Sequence, residues 1–413
     1  MFGYLPPSPA ALDDLLANSS LEGAVVAATV TDSSGHVLYQ RNGDLHVSPA
    51  SNEKLFSAAF ALYELGDDYQ PKTSIWKLPG RVFVQTSGDP ALSHDQLVAA
   101  ATQLGLDRND PVYVSEPYAP EIPDGWEIGD LPNAYAAPVA AFSVDQAAFA
   151  LWNVNGNPCL LPCDYGVKVR WVDRQDAKTD YAYDPIRRTL QVKGKFKKEK
   201  KIIDTLGEPS ADGAAASLLG RSLTRSDEIP TTPPDLVIQG QKLIDIVGKC
   251  LTTSDNIMAE NLLLMAANHE GPLPDDCYPT ALARLHEFET NVVGIAPGNH
   301  FPRDGSGLTR ANLVTTNSVA QVLNYAAGRP DAAAWKSDLA APGKGTLRSR
   351  LAGIPFAGKT GSLSQVTALS GYLTTKQGQN LTISVIVNGY SCTSRQATDS
   401  IDRFVKFIYE NGA

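Results

Sequence analysis

Long hydrophobic runs are absent from the sequence. No stretch approaches the ~18 apolar residues that a membrane helix needs, so no membrane-spanning segment is predicted. Basic residues are outnumbered, with Lys+Arg 35 against Asp+Glu 45 and a formal net charge of −10, which argues against nucleic acid as a partner. Met1–Asn42 holds one basic residue, Arg41, and no compact apolar block, so it does not resemble a signal peptide. Composition alone leaves open whether the chain is cytoplasmic or has lost a leader.

Cysteine is scarce, and its spacing does not predict a metal site. The five cysteines are an odd number at scattered positions: Cys159, Cys163, Cys250, Cys277 and Cys392. Cys159 and Cys163 either pair across a loop or remain two free thiols, and the sequence leaves both open. No His lies near these two cysteines and no second pair exists, so a zinc site is not predicted. We expect neither a metal nor a cofactor.

The composition is that of a folded chain. The sequence has 413 residues, of which 43% are hydrophobic and 19% charged. That length allows two or three domains, and the apolar fraction supplies a sizeable core, which excludes a disordered protein.

Both ends of the chain show regular patterns. Gly23–Thr31 and Val37–Gln40 flank a polar turn and predict a β-hairpin. Apolar residues at helical spacing from Leu55 to Leu65, ended by Gly66, predict an amphipathic helix. Helical periodicity returns after Leu236. Two strands and a final helix are predicted near the C-terminus: Thr367–Leu373, Leu381–Val387 and a helix with Ile401, Phe404, Val405 and Ile408 on one face.

The middle of the chain has a different character. From about Ile75 to Pro234, short strand-like pieces alternate with Pro, Gly and Asp turns, which predicts a β-rich insertion of two nested lobes. Residues 193–201 form a basic run in an otherwise acidic chain. The simpler interpretation is a solvated hairpin edge that charge keeps from pairing, and the alternative is a contact with acidic wall polymers.

The first candidate chemical motif is Ser51-x-x-Lys54 at the start of the predicted amphipathic helix. This spacing places a hydroxyl and an amine one turn apart on one helix face. A serine hydroxyl becomes a nucleophile when a base removes its proton, and an amine is such a base only while it is uncharged. The pattern alone is weak, because Ser74-Ile-Trp-Lys77 repeats it without a following helix.

Two further motifs lie far along the chain. Ser254-Asp255-Asn256 opens a helix, where these residue types are ordinary N-caps but could also relay a proton and hold a substrate amide. Lys359-Thr360-Gly361 lies just before a predicted strand. A Lys and a hydroxyl at a strand edge can bind a substrate carboxylate, while the small Gly lets an extended peptide lie against that edge.

In combination these motifs are specific. The order Ser-x-x-Lys, Ser-x-Asn, Lys-Thr-Gly is typical of penicillin-interacting serine enzymes. The chain resembles the penicillin-binding D-alanyl-D-alanine carboxypeptidases and endopeptidases of the DacB type (low-molecular-mass class C, peptidase S13). Further matching segments include 87–90, 304–310 and 358–372. Glu53 is an unusual charge beside the nucleophile, and none of His94, His269, His286 and His300 has a triad-like context.

The resemblance implies a fold and a domain organisation. The expected fold is α/β (α+β), a serine β-lactamase or DD-peptidase-like transpeptidase body whose antiparallel sheet is flanked by helices, with β-rich inserted lobes. Residues 1–77 and 235–413 would form the catalytic domain. Residues 78–143 and 205–234 would form one inserted domain, and 144–204 a nested β-rich one.

The resemblance also implies roles for individual residues. Ser51 would attack the carbonyl of a D-Ala-D-Ala bond, with Lys54 as general base. Ser254 would pass the proton to the leaving amine, and Asn256 would hold the substrate amide and Lys54. Lys359, Thr360 and Gly361 would bind the substrate's carboxylate end, and the N–H groups of Ser51 and Ser362 would form the oxyanion hole. Asp304 and Ser306 are expected to be structural.

The implied substrates are peptidoglycan stem peptides, with β-lactams as acylating inhibitors, which places the protein outside the cytoplasm with its leader removed. Endopeptidase action on D-Ala cross-links is left open, as is the oligomeric state. The alternatives are a β-lactamase or another D-amino-acid peptide hydrolase on the same body, and a non-catalytic wall-binding module.

Overall fold

The structure is a computed structural model, and it describes residues 8–175, 178–208 and 210–413. Its α-helices are α1 (Pro9–Leu16), α2 (Lys54–Leu65), α3 (His94–Leu104), α4 (Ala211–Ser217), α5 (Leu243–Thr253), α6 (Asn256–Glu270), α7 (Tyr278–Phe288), α8 (Thr316–Ala327), α9 (Ala332–Asp338) and α10 (Ser394–Asn411). Within the described ranges, no helix is both long and apolar enough to cross a bilayer.

The strands are β1 (Val25–Asp32), β2 (Val37–Arg41), β3 (Lys72–Leu78), β4 (Arg81–Thr86), β5 (Pro111–Ser115), β6 (Ala148–Val154), β7 (Asn157–Leu161), β8 (Lys168–Asp173), β9 (Asp180–Asp184), β10 (Thr189–Lys193), β11 (Lys200–Gly207), β12 (Ser222–Arg225), β13 (Leu236–Gln239), β14 (His300–Phe301), β15 (Leu313–Val314), β16 (Phe356–Leu363), β17 (Val366–Thr374) and β18 (Asn380–Asn388). They form two compact units with the helices. The first holds the described residues up to Asp68, Leu243–Glu270 and Tyr278–Ala413, and the second holds the described residues of Tyr69–Lys242 and Gly271–Cys277.

The first unit is built on an antiparallel sheet of order β16-β17-β18-β1-β2. Alternate residues of β1 and β18 pack against α10, because residues two apart on a strand face the same side. The apolar stripe of α10 (Ile401, Phe404, Val405 and Ile408) covers that face. On the opposite face, Thr29 of β1 bonds the hydroxyl of Thr316 on α8. The fold class predicted from the sequence is confirmed.

Helix α2 is the central helix of the first unit. Its residues from Lys54 to Leu62 are all buried, so the helix carries no solvated face over its first nine residues. Gly66 ends the helix with a φ of 80°, in the region where glycine is favoured. The predicted helix, its Gly stop and the β1–β2 hairpin are confirmed.

The second unit is rich in β-structure, as expected. It holds a five-stranded sheet of order β12-β5-β4-β3-β13 and two three-stranded sheets, β8-β10-β9 and β11-β6-β7. It also contains α3, which the strand-based interpretation missed although Ser93 and Gln96 form a capping box at its start. The three-domain division, with boundaries at 77, 143, 204 and 234, stays a prediction.

Two details of the second unit bear on the sequence-based interpretation. One contradicts the predicted hairpin, and the other decides whether two cysteines are paired. The basic run at 193–201 is not a hairpin, because Lys193 ends β10 and Lys200 begins β11, and these strands belong to different sheets. The chain therefore passes from one sheet to another within the run. Cys159 and Cys163 are free thiols, as are the other three cysteines.

Candidate active site

Ser51 lies in a short 3-10 helix, Ala50–Glu53, that leads directly into α2. The segment before it is held by Asn388 at the end of β18, whose side chain accepts a hydrogen bond from Ser48 N (2.8 Å) and donates one to Ser48 O (3.1 Å). Ala50 has a φ of 47°, a left-handed conformation that non-glycine residues adopt at a cost of about 1 kcal/mol or more. Strain of this kind is common beside functional groups.

Lys54 is fully buried and lies one turn after Ser51. Its Nζ is 3.0 Å from Ser51 Oγ, and it donates hydrogen bonds to Asn256 Oδ1 (2.6 Å) and to the carbonyl of Ser306 (2.7 Å). The first and second predicted motifs are thereby in direct contact, since Asn256 is the first residue of α6. Nζ is therefore surrounded by two carbonyl oxygens, which can only accept hydrogen bonds, and by one hydroxyl group.

Lys359 forms a second polar cluster. Its side chain is fully buried on β16, and its Nζ donates to Ser254 Oγ (2.8 Å) and to Thr360 O (2.8 Å). Ser254 has a φ of 65°, so it occupies a left-handed position just before α6. The second and third predicted motifs therefore meet through Ser254 and Lys359, while the first and second meet through Lys54 and Asn256.

Strand β16 lies at the edge of the first unit's sheet. The Thr360 hydroxyl donates to Thr346 Oγ1 (2.8 Å), and Ser362 is exposed. A Cβ at Gly361 would lie 2.7 Å from the carbonyl oxygen of Pro49 and 3.2 Å from Cβ of Ala50. Glycine is therefore needed at this position for β16 to approach the segment that carries Ser51, whereas the sequence interpretation assigned the space to substrate.

Both lysines are in surroundings that favour the uncharged amine. Burial lowers the pKa of Lys54, although nearby Cys250, Asp304 and Glu260 oppose that shift. Burial also lowers the pKa of Lys359 well below its usual range, and a charge on Lys54 acts in the same direction. An amine beside a serine hydroxyl is useful as a base only when it is neutral, so the shift of Lys54 favours its predicted role, whereas the shift of Lys359 opposes a role as a cation for the substrate carboxylate.

The loop at 304–309 provides the Ser306 carbonyl that contacts Lys54. Asp304 holds it by accepting hydrogen bonds from Gly307 N (2.7 Å), Thr309 N (2.8 Å) and Asn312 Nδ2 (2.7 Å). The side chain of Asp304 is thus engaged in building the loop, in line with its predicted structural role.

Gly307 is the point at which this loop touches the Ser51 segment. Its φ is 79°, and a Cβ there would lie 1.9 Å from the carbonyl oxygen of Ala50. We expect Gly307→Ala to lower the free energy of unfolding by about 3 kcal/mol and to slow acylation of Ser51, because the segment must move. Denaturant unfolding measures the change in stability, and the rate at which a β-lactam acylates Ser51 measures the second effect.

Gly378→Ala is the matched control for this change. Gly378 has a φ of 81° but nothing within 4 Å of the added Cβ, so this variant carries backbone strain without a clash. It should lose only about 1 kcal/mol and acylate normally. Equal losses in the two variants would contradict a steric role for Gly307.

Sequence reasoning missed a buried ion-pair cluster beneath the Ser51 segment. His300 has no exposed side-chain surface and lies between two buried carboxylates, with Nε2 2.8 Å from Glu53 Oε1 and Nδ1 2.5 Å from Glu289 Oε1. Phe56 of α2 stacks on the imidazole with ring centroids 4.1 Å apart. Burial disfavours charge on His300, but Glu289 and Glu53 raise its pKa to about 10. In the sequence, the unusual charge of Glu53 beside Ser51 was the signal for this cluster, but the sequence did not identify a partner for Glu53.

The described residues contain no group of three or more His, Cys, Asp and Glu side chains that could hold a metal ion. The polar groups around Ser51 are instead amines, hydroxyls, an amide and backbone carbonyls, which can accept and donate protons. The other SxxK match, Ser74 to Lys77, lies on strand β3 of the second unit and not on a helix.

Comparison with known proteins finds D-alanyl-D-alanine carboxypeptidases. The chain is 27% identical over 439 residues to a D-alanyl-D-alanine carboxypeptidase from Actinomadura sp. (strain R39), covering 92% of this chain and 80% of that protein. It is also 27% identical over 405 residues to the D-alanyl-D-alanine carboxypeptidase DacB of Haemophilus influenzae, covering 86% of this chain and 83% of that protein.

Solved structures show the same fold. Penicillin binding protein 4 (dacB) from Haemophilus influenzae has a TM-score of 0.79 at 22% identity, over 97% of this chain and 99% of its own. The same protein complexed with a β-lactam has a TM-score of 0.74 at 22% identity, with 98% of both chains covered. The model of the D-Ala-D-Ala carboxypeptidase 3 (S13) family matches residues 9–194 and 223–409. The chain belongs to this S13 family.

Proposed function

We propose that the chain is a serine D-Ala-D-Ala carboxypeptidase that cleaves peptidoglycan stem peptides through an acyl-enzyme on Ser51 and is acylated by β-lactams. The observation that carries the proposal is the arrangement at the fully buried Lys54, whose Nζ lies 3.0 Å from Ser51 Oγ and also contacts two acceptor oxygens. Family membership and the named activities of the relatives support the same function.

Lys54 is suited to act as the general base toward Ser51. A neutral amine has two N–H donors and one lone pair. The acceptors Asn256 Oδ1 (2.6 Å) and Ser306 O (2.7 Å) use the two donors, so the lone pair is directed at the Ser51 hydroxyl. As Ser51 Oγ attacks the D-Ala carbonyl, its proton passes to Lys54. A base placed in this way contributes a factor on the order of 10²–10⁴ in rate.

Ser254 and Lys359 are suited to the leaving-group side of the reaction. Ser254 Oγ accepts from Lys359 Nζ (2.8 Å), so its own hydroxyl proton is directed elsewhere and can reach the leaving D-Ala amine. Within the described residues, Ser254 and Thr360 take two of the three donors of a Lys359 ammonium, which leaves one for the substrate carboxylate. An arriving carboxylate favours the charged form of Lys359 and thereby opposes the lowering of its pKa by burial.

The N–H groups of Ser51 and Ser362 would stabilise the negative oxygen that forms during attack. Gly361 supports this assignment, because its missing side chain allows β16 to approach the segment that carries Ser51. Loss of one oxyanion donor costs a factor on the order of 10²–10³ in such sites. Water then hydrolyses the ester and regenerates Ser51.

Mass spectrometry of the intact protein after exposure to benzylpenicillin tests the proposal. We expect a single penicilloyl adduct that maps to the peptide containing Ser51 and persists while free D-Ala release from a D-Ala-D-Ala peptide is blocked. Rapid turnover of penicillin without an accumulating adduct would favour a β-lactamase instead. No adduct and no D-Ala release would leave a non-catalytic wall-binding module. Assay of a D-Ala cross-linked dimer separates endopeptidase from carboxypeptidase action.

Lys359→Ala should raise KM for a D-Ala-D-Ala peptide about 10- to 100-fold, because a charge-assisted hydrogen bond to the substrate carboxylate is lost. Steady-state kinetics with the peptide, and with the same peptide carrying a C-terminal amide, measure the effect. The amide should show little change between the variant and the wild type. Lys336→Ala, an exposed lysine on α9, is the control. Unchanged peptide kinetics in Lys359→Ala would refute the carboxylate role.

The substrate also indicates where the protein acts. D-Ala-terminated stem peptides are part of the cell wall, so we propose an extracytoplasmic location. A fractionation experiment that finds the chain with cytoplasmic markers would contradict this.

A further inference from the structure

Glu260 is a buried carboxyl group that the proposed reaction does not use. It lies on α6 one turn beyond Asn256, and residues four apart share a helix face. Its side chain has no exposed surface, and its Oε2 accepts hydrogen bonds from Gly305 N (2.7 Å) and from the Tyr278 hydroxyl (3.0 Å). The carboxyl group is therefore close to both residues that supply acceptors to Lys54. Asn256 is one turn earlier on α6, and Ser306 directly follows Gly305.

The connection from Glu260 to Lys54 is short. Glu260 binds the N–H of Gly305, and the next residue, Ser306, presents its carbonyl to Lys54 Nζ at 2.7 Å. The Gly305 carbonyl in turn accepts from Ser57 Oγ on α2 (2.7 Å), which ties the same segment to the helix that carries Lys54. The Gly305–Ser306 backbone is therefore a direct structural link between Glu260 and the Lys54 amine.

Charged and titratable groups face Glu260 from each neighbouring element. They are Lys54 from α2, Cys250 from α5, the Tyr278 hydroxyl from α7 and Asp304 from the loop. Lys54 itself is also acted on by Asp255, just before α6, and by Lys359 of β16. Burial and the charge of Asp304 raise the pKa of Glu260 to about 8, while burial lowers the pKa of Lys54. The two pKa values move towards each other, and the charge of Glu260 itself raises the pKa of Lys54, so the proton equilibria of the two buried groups are coupled.

We propose that Lys54 and Glu260 share a single proton, so that Glu260 is a positioning residue that sets the pH at which Lys54 becomes a free amine. The proposal rests on the proposed function of Lys54. The shared proton resides either on Lys54, giving an ammonium and a carboxylate, or on Glu260, giving an amine and a carboxylic acid. No proton is gained or lost between these forms, and only the second can accept the proton of Ser51.

The pH profile of acylation follows from this equilibrium. At low pH both groups are protonated and Lys54 is inactive as a base. Loss of the first proton produces the mixture of the two forms, which is partly active, and loss of the second leaves a neutral Lys54 in all molecules. The rate of acylation should therefore rise with pH in two overlapping steps.

Glu260→Gln tests the proposal, because glutamine keeps an acceptor for Gly305 and Tyr278 but cannot ionise. The second-order rate of Ser51 acylation by benzylpenicillin is measured from pH 5 to 10 by mass spectrometry. We expect the rise to become a single step whose midpoint lies about one pH unit lower, since no nearby carboxylate favours the ammonium. Glu270→Gln, at the far end of the same helix, should leave the profile unchanged.

Tyr278→Phe provides a second variant that does not alter the carboxyl group. It removes the hydroxyl that donates to Glu260, which disfavours the carboxylate and should move the midpoint in the same direction by a smaller amount. A midpoint in Glu260→Gln equal to that of the wild type, or a higher one, would overturn the shared proton. Absence of any Ser51 adduct in the wild type would instead refute the proposed function, so the two failures are distinguishable.

Discussion

Ser51→Ala is expected to abolish the benzylpenicillin adduct and to slow D-Ala release by a factor on the order of 10⁴–10⁶. In the proposed mechanism the acyl-enzyme is an ester of the Ser51 oxygen, so alanine removes the atom that forms the bond. The fold should persist, because the described hydrogen bond of Ser51 Oγ is the one with Lys54 Nζ (3.0 Å), and Lys54 retains Asn256 and Ser306. Intact mass and thermal unfolding measure the two expectations.

Ser74→Ala is the matched control for the nucleophile, since Ser74 begins the other Ser-x-x-Lys match. It lies on β3, where Ser74 and Lys77 are three residues apart and point to opposite faces of the strand. This variant should acylate at the wild-type rate. An adduct that survives in Ser51→Ala and disappears in Ser74→Ala would reverse the assignment.

His300→Gln is expected to lower the free energy of unfolding by about 3–5 kcal/mol. Removal of the imidazole leaves Glu53 and Glu289 without their cationic partner. Because neither has more than 1% of its side chain exposed, water cannot replace that partner. The double variant Glu53→Gln with His300→Gln should lose less than the single variant, because one unpaired charge is gone. Denaturant unfolding of the three proteins at pH 7 measures this.

The effect of His300 on stability should depend on pH. The pKa of His300 is raised in the folded protein to about 10, so its charge contributes fully below its unfolded value of 6.5 and is lost as the pH rises through 10. The difference in the free energy of unfolding between wild type and His300→Gln should therefore become smaller from pH 7 to pH 10. His286→Gln, with 43% of its side chain exposed and 3.7 Å from Glu289, is the control and should change little. A constant difference across this range would contradict a charged His300.

Features with local causes could be predicted from the sequence. Helix α2 has apolar residues at helical spacing and a glycine stop, and strands β17 and β18 are rich in apolar and β-branched residues. The candidate site was also predictable, because Ser51, Ser254 and Lys359 each stand in a motif whose order along the chain is specific. The contacts among them follow from strand and helix packing that the resemblance implied.

Features that depend on distant partners were not predictable. Glu53 and His300 are 247 positions apart, and neither lies in a pattern that identifies the other. Similarly, the space beside Gly361 belongs to Pro49 and Ala50, which are brought there by the packing of β16 on the Ser51 segment. The basic run at 193–201 was misinterpreted because alternating apolar residues predict strands without saying which sheet each strand joins.

The pairing of β1 with β18 joins two segments that lie far apart in the sequence, with Val25 opposite Asn388 and Asp32 opposite Leu381. During translation, β1 emerges long before its partner, so the sheet that carries Lys359 stays incomplete until β18 has left the ribosome. Contacts between such distant segments also form slowly. The segment that carries Ser51 therefore acquires its full set of neighbours, Asn388 among them, only after β18 has been synthesised. A chain cut short before β18 would have no mature hydrolytic centre.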